Sequence, residues 1–348
     1  MPLADSAPSV GIADIAQSRS SKPSTHEAKS RAQSQPQTST SSMPTKTQIL
    51  KQAALSPLSL LSLLPVPSLQ QLLLHTLSLG PIPRHIAFVM DGNRRWARTS
   101  HHTVAQGHLT GFATLKSVLE VCLNLGGLST VTVYAFAIDN FGRSESEVKA
   151  LMEIAKTRLI ELAGHGELIA RYSVRIRVVG RKELLPEDVR EAVERVESMT
   201  KDNSKAILNI CMPYSSRDEI AGAARACLDR KLRDIEKAAV AEKAQRIAEG
   251  DTQASLDHIL KSIDYNTSPE DLSEHMQLAH SPPLDILVRT SGVSRLSDFM
   301  LWQCTENTHM HFVDKFWPQF GLQDIVPIIL DWQRHQWSVA LRKRCGWH

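Results

Sequence analysis

"RHIAFVMDGNRRWAR" (Arg84–Arg98) carries an apolar run, Ile86–Met90, straight into an acid, a glycine, an asparagine and two adjacent arginines. A short apolar run stopped by such a turn signal predicts a buried strand that ends in a loop. Working outward, the alternation repeats. Gly107–Leu125 has apolar residues at helical spacing, and "STVTVYAFAI" (Ser129–Ile138) reads as strand. Helix follows over Ser144–Leu162, then strand in "YSVRIRVVG" (Tyr172–Gly180) and helix in "PEDVREAVERVESM" (Pro186–Met199). "KAILNICMPY" (Lys205–Tyr214) is strand and Ser216–Ala248 a long helix. "LDILVRTSG" (Leu284–Gly292) is strand, Leu296–Gln303 helix, "HMHFVDKFW" (His309–Trp317) strand, and Ile325–Lys343 a closing helix. This order predicts an α/β fold, a central, mostly parallel β-sheet flanked by helices. The charged, Ala-rich stretch Leu232–His258 reads as a solvated helix or an insertion without a catalytic part.

The 348 residues are 42% hydrophobic and 22% charged, enough for a sizeable core. A net charge of +3 gives no support to nucleic acid as a partner, while leaving room for local basic clusters. The five cysteines form no CxxC pair and have no His at zinc-ligand spacing, which predicts free thiols in a reducing compartment. Residues 1–45, rich in Ser, Gln and Pro, are expected to be a disordered tail. Residues 46–82 are a Leu-rich amphipathic segment, interrupted by Pro57, Pro65 and Pro67 and without a spanning run of about 20 apolar residues. It reads equally as a helix covering the core or as a segment lying on a membrane surface. Residues 83–348 are the expected catalytic domain.

Ligands of such sheets collect at the carboxyl ends of the strands. Here those ends are "MDGNRR", "AIDNFGRS", "MPYSSRD" and "RTSGVSRLS". Gly92 allows a sharp turn and close approach to a ligand. The N–H groups of Gly92–Arg95 would open a helix, a natural anion site, and Arg94 and Arg95 can bond phosphate oxygens. A carboxylate among phosphates repels them unless a divalent cation intervenes, so Asp91 is a candidate Mg²⁺ ligand. The plainer reading makes Asp91 a helix cap and the arginines surface charges. Arg289, Arg295 and Ser297 form a second Arg-rich strand end, a second oxyanion site unless they pair with surface acids. No GxxxxGK[ST] or GxGxxG occurs to support nucleotide binding.

"HIAFVMDGNRRWAR", "VTVYAFAIDNFGRSESEV", "ILVRTSGVSRLSDFMLWQ" and "WPQF" resemble, in order, the signatures of the cis-prenyltransferases, the undecaprenyl and dehydrodolichyl diphosphate synthases. The resemblance spans residues 83–341, and "DGNRR" is the eukaryotic form where bacterial members tend to read "DGNGR". It implies extension of an allylic diphosphate, typically farnesyl diphosphate, by isopentenyl diphosphate with cis double bonds, on the way to dolichol and protein glycosylation. It further implies that Asp91 holds Mg²⁺ and the allylic diphosphate. Gly92, Asn93, Arg94 and Arg95 would cradle that diphosphate with His108 and Arg143 nearby, and Asn140 would lie near the reacting carbons. Arg289, Arg295 and Ser297 would bind isopentenyl diphosphate. Phe88, Phe136 and Leu119 serve equally as tunnel lining or plain core.

The chain departs from the family at three places. Val104 stands where an arginine precedes His108, a loss that Arg94 or Arg98 could cover. His309 stands near a metal-binding glutamate of bacterial members, with Glu306 close by in sequence. Arg344-Cys345-Gly346 matches the family's C-terminal Arg-x-Gly in letters but lies out of register, where Ser338 and Ala340 stand. The resemblance therefore implies the catalytic half of a heteromer, peripheral on the cytoplasmic face of the endoplasmic reticulum. A related accessory subunit of the Nogo-B receptor type would supply the Arg-x-Gly; the other outcome is a homodimer. Two rival readings are a non-catalytic accessory subunit, against which "DGNRR" speaks, and an unrelated phosphatase, which would need a nucleophile or acidic cluster not visible at the strand ends.

Overall fold

The computed structural model describes residues 68–164, 168–249 and 266–345. The expected tail (1–45), the first part of the Leu-rich segment and Gly346 of the Arg-x-Gly lie outside the described residues. Six parallel strands form one sheet in the order β3-β4-β2-β1-β5-β6. They are β1 (His85–Val89), β2 (Thr130–Tyr134), β3 (Val174–Val179), β4 (Ala206–Cys211), β5 (Ile286–Arg289) and β6 (His309–Phe312). The helices before, between and after them are α1 (Leu69–Leu77), α2 (Asn93–Thr99), α3 (Val104–Asn124), α4 (Glu145–Ala163), the short α5 (Leu168–Arg171), α6 (Glu187–Thr200), α7 (Ser216–Ala248), α8 (Pro269–His275) and α9 (Leu322–Arg344).

All five residues of β1 are buried. Successive side chains of a strand face opposite ways, and Ile86 and Phe88 enter one core while Ala87 and Val89 enter a second. Covering both faces of a parallel sheet is why the strand reads as an unbroken apolar run. Phe88 packs against Trp317 and Phe320, with ring centroids 5.9 and 6.1 Å away, and Leu119 is buried in the same core. Both are core residues rather than cavity lining.

Ser68 caps α1 in a reciprocal box with Gln71. Its Leu74 and Leu77 are buried, and Gln333 of α9 donates to the carbonyls of Leu77 and Pro81 at 2.8 and 2.9 Å. This described end of the Leu-rich segment thus covers the core, while Leu72 and Leu79 face outward. Among the described residues no helix is long and apolar enough to cross a membrane.

The helix expected over Leu296–Gln303 does not form; the segment is a series of turns. Ser297, Asp298 and Met300 have positive φ of 51°, 61° and 49°, outside the helical region. Long-range bonds hold them there. Asp298 accepts from Ser215 Oγ at 2.5 Å and from the Arg217 N–H at 3.0 Å, while Phe299 and Met300 plug the second core.

Candidate active site

The ends of β1, β2 and β5 meet at a cavity of about 1010 Å³. Every residue singled out from Asp91 to Ser297 lines it: Asp91, Gly92, Asn93, Arg94, Arg95, His108, Asn140, Arg143, Arg289, Arg295 and Ser297. Gly92 has φ +102°, and a Cβ there would press on Phe316 and Ser291, so the turn into α2 requires glycine. Gly111 of α3 is needed for a different reason: a Cβ would collide with Asn93 Oδ1. Trp317 locks the turn from behind, its backbone N–H donating to the Asp91 carbonyl at 3.0 Å and its indole N–H to the Gly111 carbonyl at 2.7 Å.

Asp91 and Arg289 form the hinge of the two halves. Asp91 Oδ2 accepts from Arg289 at 2.9 Å and lies 3.4 Å from Arg95, while Oδ1 accepts from the Gly92 N–H at 2.7 Å. Burial would raise the Asp91 carboxyl, but Arg289 first, then Ser291 and Arg95, outweigh it and hold it below the ordinary carboxylate range. It is a carboxylate at neutral pH. The Arg289 side chain is nearly fully buried, and it also donates to the Arg295 carbonyl and, at 2.6 Å, to Ser297 Oγ. Arg95 bonds Ser291 and lies over the Phe316 ring at 5.6 Å.

Across the mouth, Arg143 donates to Glu147 at 2.9 Å and to Asn140 Oδ1 at 2.8 Å, and Arg94 reaches the same Glu147 oxygen at 3.4 Å. Burial, then the charge of Arg143, pushes the His108 imidazole down to about 4, so the ring is neutral near pH 7. Among the described residues its buried Nε2 has no hydrogen-bond partner, and neither has the buried Asn93 Oδ1. The neutral His108 ring, beside the Arg143 and Arg94 guanidiniums, can donate a hydrogen bond to an anionic ligand, whereas Asn93 Oδ1 can only accept, from a ligand hydrogen or a cation. Inward from this mouth the walls turn apolar, with Phe112, Leu115, Phe136, Leu151 and Leu159 between the sheet and helices α3 and α4.

The donor set suits Mg²⁺ at Asp91, an ionised carboxylate open to a cavity whose ligand would supply the remaining oxygens. Asp298 is committed to Ser215 and Arg217. Neither Glu306 nor His309 lines the cavity.

Residues 89–339 match the prenyltransferase family described as "Putative undecaprenyl diphosphate synthase". The chain belongs to this cis-prenyltransferase family. It is 41% identical over 271 residues to a dehydrodolichyl diphosphate synthase complex subunit of Schizosaccharomyces pombe, covering 76% of this chain and 90% of that one. It is 38% identical over 270 residues to the human dehydrodolichyl diphosphate synthase complex subunit, covering 76% and 71%. Among solved structures it is similar to lavandulyl diphosphate synthase from Lavandula x intermedia in complex with dimethylallyl diphosphate, with TM-score 0.55 and 26% identity over 72% of this chain and 95% of that one.

The cis-prenyltransferase cavity also takes in residues that sequence reasoning passed over. Arg217, at the start of α7, lines it beside Asp298, and Arg158 of α4 lines its wall. Arg217 lies in "MPYSSRD", a strand end already marked as ligand-facing, and that position was the available signal. Arg98 lines the cavity with Arg94, so both candidates to cover for Val104 are at hand.

Proposed function

We propose that this chain is the catalytic subunit of a cis-prenyl diphosphate synthase. It would condense isopentenyl diphosphate onto an allylic diphosphate, such as farnesyl diphosphate, to give the long dehydrodolichyl diphosphate used for dolichol. One observation carries the reading: a single cavity has two guanidinium clusters joined by the Asp91–Arg289 pair at its mouth and an apolar interior behind them. An accessory subunit without catalysis would have no use for that combination. At about 1010 Å³ the cavity reaches the top of the roughly 300–1,000 Å³ range of ligand pockets.

In this reading Gly92, Asn93, Arg94, Arg95, His108 and Arg143 hold the allylic diphosphate, and Arg289, Arg295 and Ser297 hold that of isopentenyl diphosphate. Arg94, joined through Glu147 to Arg143, takes the place of the arginine absent at Val104. The allylic carbon–oxygen bond breaks with its electrons to the diphosphate, and the isopentenyl double bond attacks that carbon. Guanidiniums fixed before the reaction stabilise the charge that develops on the leaving group. Bound Mg²⁺, with Asp91 as its protein ligand, would neutralise further diphosphate charge. The proton lost in forming the new cis double bond goes to diphosphate, since the His108 imidazole, held down to about 4, is a weak base.

The S. pombe and human relatives are named as complex subunits, which supports a heteromer here. A related non-catalytic partner of the Nogo-B receptor type would bring an Arg-x-Gly to the isopentenyl site. The outward Leu72 and Leu79 of the α1 region support peripheral attachment to the cytoplasmic face of the endoplasmic reticulum. The test is direct. The full chain, alone and with the partner subunit, is given Mg²⁺, farnesyl diphosphate and labelled isopentenyl diphosphate. Long polyprenyl diphosphate is expected from the mixture. Product from the chain alone would replace the heteromer by a homodimer, and none from either would overturn the synthase reading.

A further inference from the structure

A cluster of metal-ligating side chains lies away from the condensation cavity, where the sheet edge meets the last helix. In β6, His309 and His311 are half-buried and alternate with the exposed Met310 and Phe312, so both imidazoles occupy one face of the strand. Asp331 and His335 stand one helical turn apart on α9. One ligand atom from each of His309, His311 and Asp331 lies within 4.8 Å of the others. Behind them, His309 Nε2 and His335 Nδ1 are hydrogen-bonded at 2.9 Å, with ring centroids 4.3 Å apart. His311 Nε2 is buried without a hydrogen-bond partner among the described residues.

The geometry points to a transition-metal site of the Zn²⁺ class, held by His309, His311 and Asp331, with His335 orienting His309. Two imidazoles and one carboxylate are a donor set that zinc accepts in three-ligand sites, with the fourth position left to water or a fourth side chain. Magnesium, which wants near-octahedral oxygen, is a poor match. Bonds of roughly 2.0–2.2 Å place tetrahedral ligands roughly 3.4 Å apart, so side-chain rotation of about 1 Å closes the triad. With His309 Nε2–H donating to His335 Nδ1, the pair would leave His309 Nδ1 for the metal, an outer contact of the kind that fixes the tautomer of a metal-bound histidine. Metal coordination would also satisfy the His311 nitrogen that the described residues leave orphaned. Arg334 pairs with Asp331 at 2.5 Å, but its side chain is 82% exposed and free to swing into solvent.

None of the three ligands lines the cavity, so this site is separate from the one at Asp91. Its effect would be structural. It would staple β6, the edge strand hydrogen-bonded to Arg289-bearing β5, onto α9. A ligand that binds only the folded chain stabilises it by mass action.

The experiment titrates chelator-treated full-length chain with Zn²⁺ and with Co²⁺, without prenyl substrates, and follows the cobalt d–d bands and the melting temperature. One equivalent per chain, a tetrahedral cobalt spectrum and a higher melting temperature with zinc are expected. His311→Gln and Asp331→Asn should each weaken binding at least about tenfold and abolish the zinc-dependent rise in melting, whereas Asp91→Asn should bind as the parent does. Melting of the metal-free variants shows whether they are folded. No binding in the micromolar range, or binding unchanged in both folded variants, would overturn the site. Since no prenyl substrate is used, that result would leave the synthase reading standing.

Discussion

Asp91 does two things with one carboxylate. It faces the cavity as a candidate metal ligand, and its Oδ2 neutralises Arg289, whose side chain is only 4% exposed. From the sequence, Asp91 ends a strand outside the core, so its removal would be expected to silence the site at no structural cost. The geometry changes that expectation. Breaking a buried pair from one side leaves an uncompensated charge, worth about 3–5 kcal/mol when both partners are buried. Asp91 is partly exposed, which reduces the cost to roughly 1–3 kcal/mol. Asp91→Ala should therefore lose condensation activity and also lower the urea midpoint, whereas Asp91→Asn should lose activity with a smaller stability loss because the amide oxygen still accepts from Arg289. Equal midpoints for Asp91→Ala and the parent would show that Arg289 does not depend on the carboxylate. Nothing in "MDGNRR" could have revealed this dependence. The partners that fix Asp91, namely Arg289, Thr290 and Trp317, lie about 200 residues away in sequence and meet it only across β1 and β5.

At the scale of elements, strands and helices were legible wherever burial is periodic and local. The expected strand and helix positions at β1, α3, α4 and α9 match the structure to within a few residues. The Leu296–Gln303 segment was illegible because its apolar spacing mimics a helix, while its backbone is set by Asp298 reaching Ser215 and Arg217. Also hidden was the polar character of the sheet's second face. His85, the first residue of β1, is 1% exposed; its ring nitrogens lie 2.9 Å from the Pro282 carbonyl and 2.7 Å from Thr132 Oγ1. Asn209 joins Thr132 to Ser281 and His280. Desolvation, with the nearby His280 adding to it against the Pro282 bond, pushes His85 down to about 4. In the unfolded chain a histidine titrates near 6.5, so below that pH the unfolded state takes up a proton that the folded state refuses. Stability is thus fully present above pH 6.5 and is lost as pH falls toward 4, by about 2 kcal/mol at pH 5 from His85 alone. Urea midpoints measured from pH 7 to 5 should fall accordingly, and His85→Asn should flatten the slope whatever its effect on the midpoint at pH 7. A pH-independent midpoint in the parent would mean that His85 is not buried neutral.

At the scale of the whole molecule, the switch in strand order decides where the chemistry can be. The chain runs from β1 to β2 on one side, and after β4 it crosses to place β5 on the other side of β1. That reversal opens the crevice at the strand ends and brings the "MDGNRR" and "RTSGVSRLS" loops into contact. The polar mouth was readable from its arginines because charge at a strand end has few structural uses. The apolar interior was not, because a tunnel wall and a core wall are chemically the same; of Phe88, Phe136 and Leu119, only Phe136 faces the cavity. Ala155 of α4 also lines that interior. Ala155→Phe would project an aromatic ring into existing space instead of into packed atoms, so it escapes much of the roughly 1–3 kcal/mol overpacking cost. The mouth would be untouched, so the first condensations should proceed at near the parent rate, with the KM for isopentenyl diphosphate unchanged. Elongation should stop when the growing chain meets the ring, giving a product shorter by several isoprene units in chromatography of the labelled polyprenyl alcohols. Parent-length product from a folded, active variant would mean that the chain leaves by another route, and that the interior between the sheet and helices α3 and α4 does not hold it.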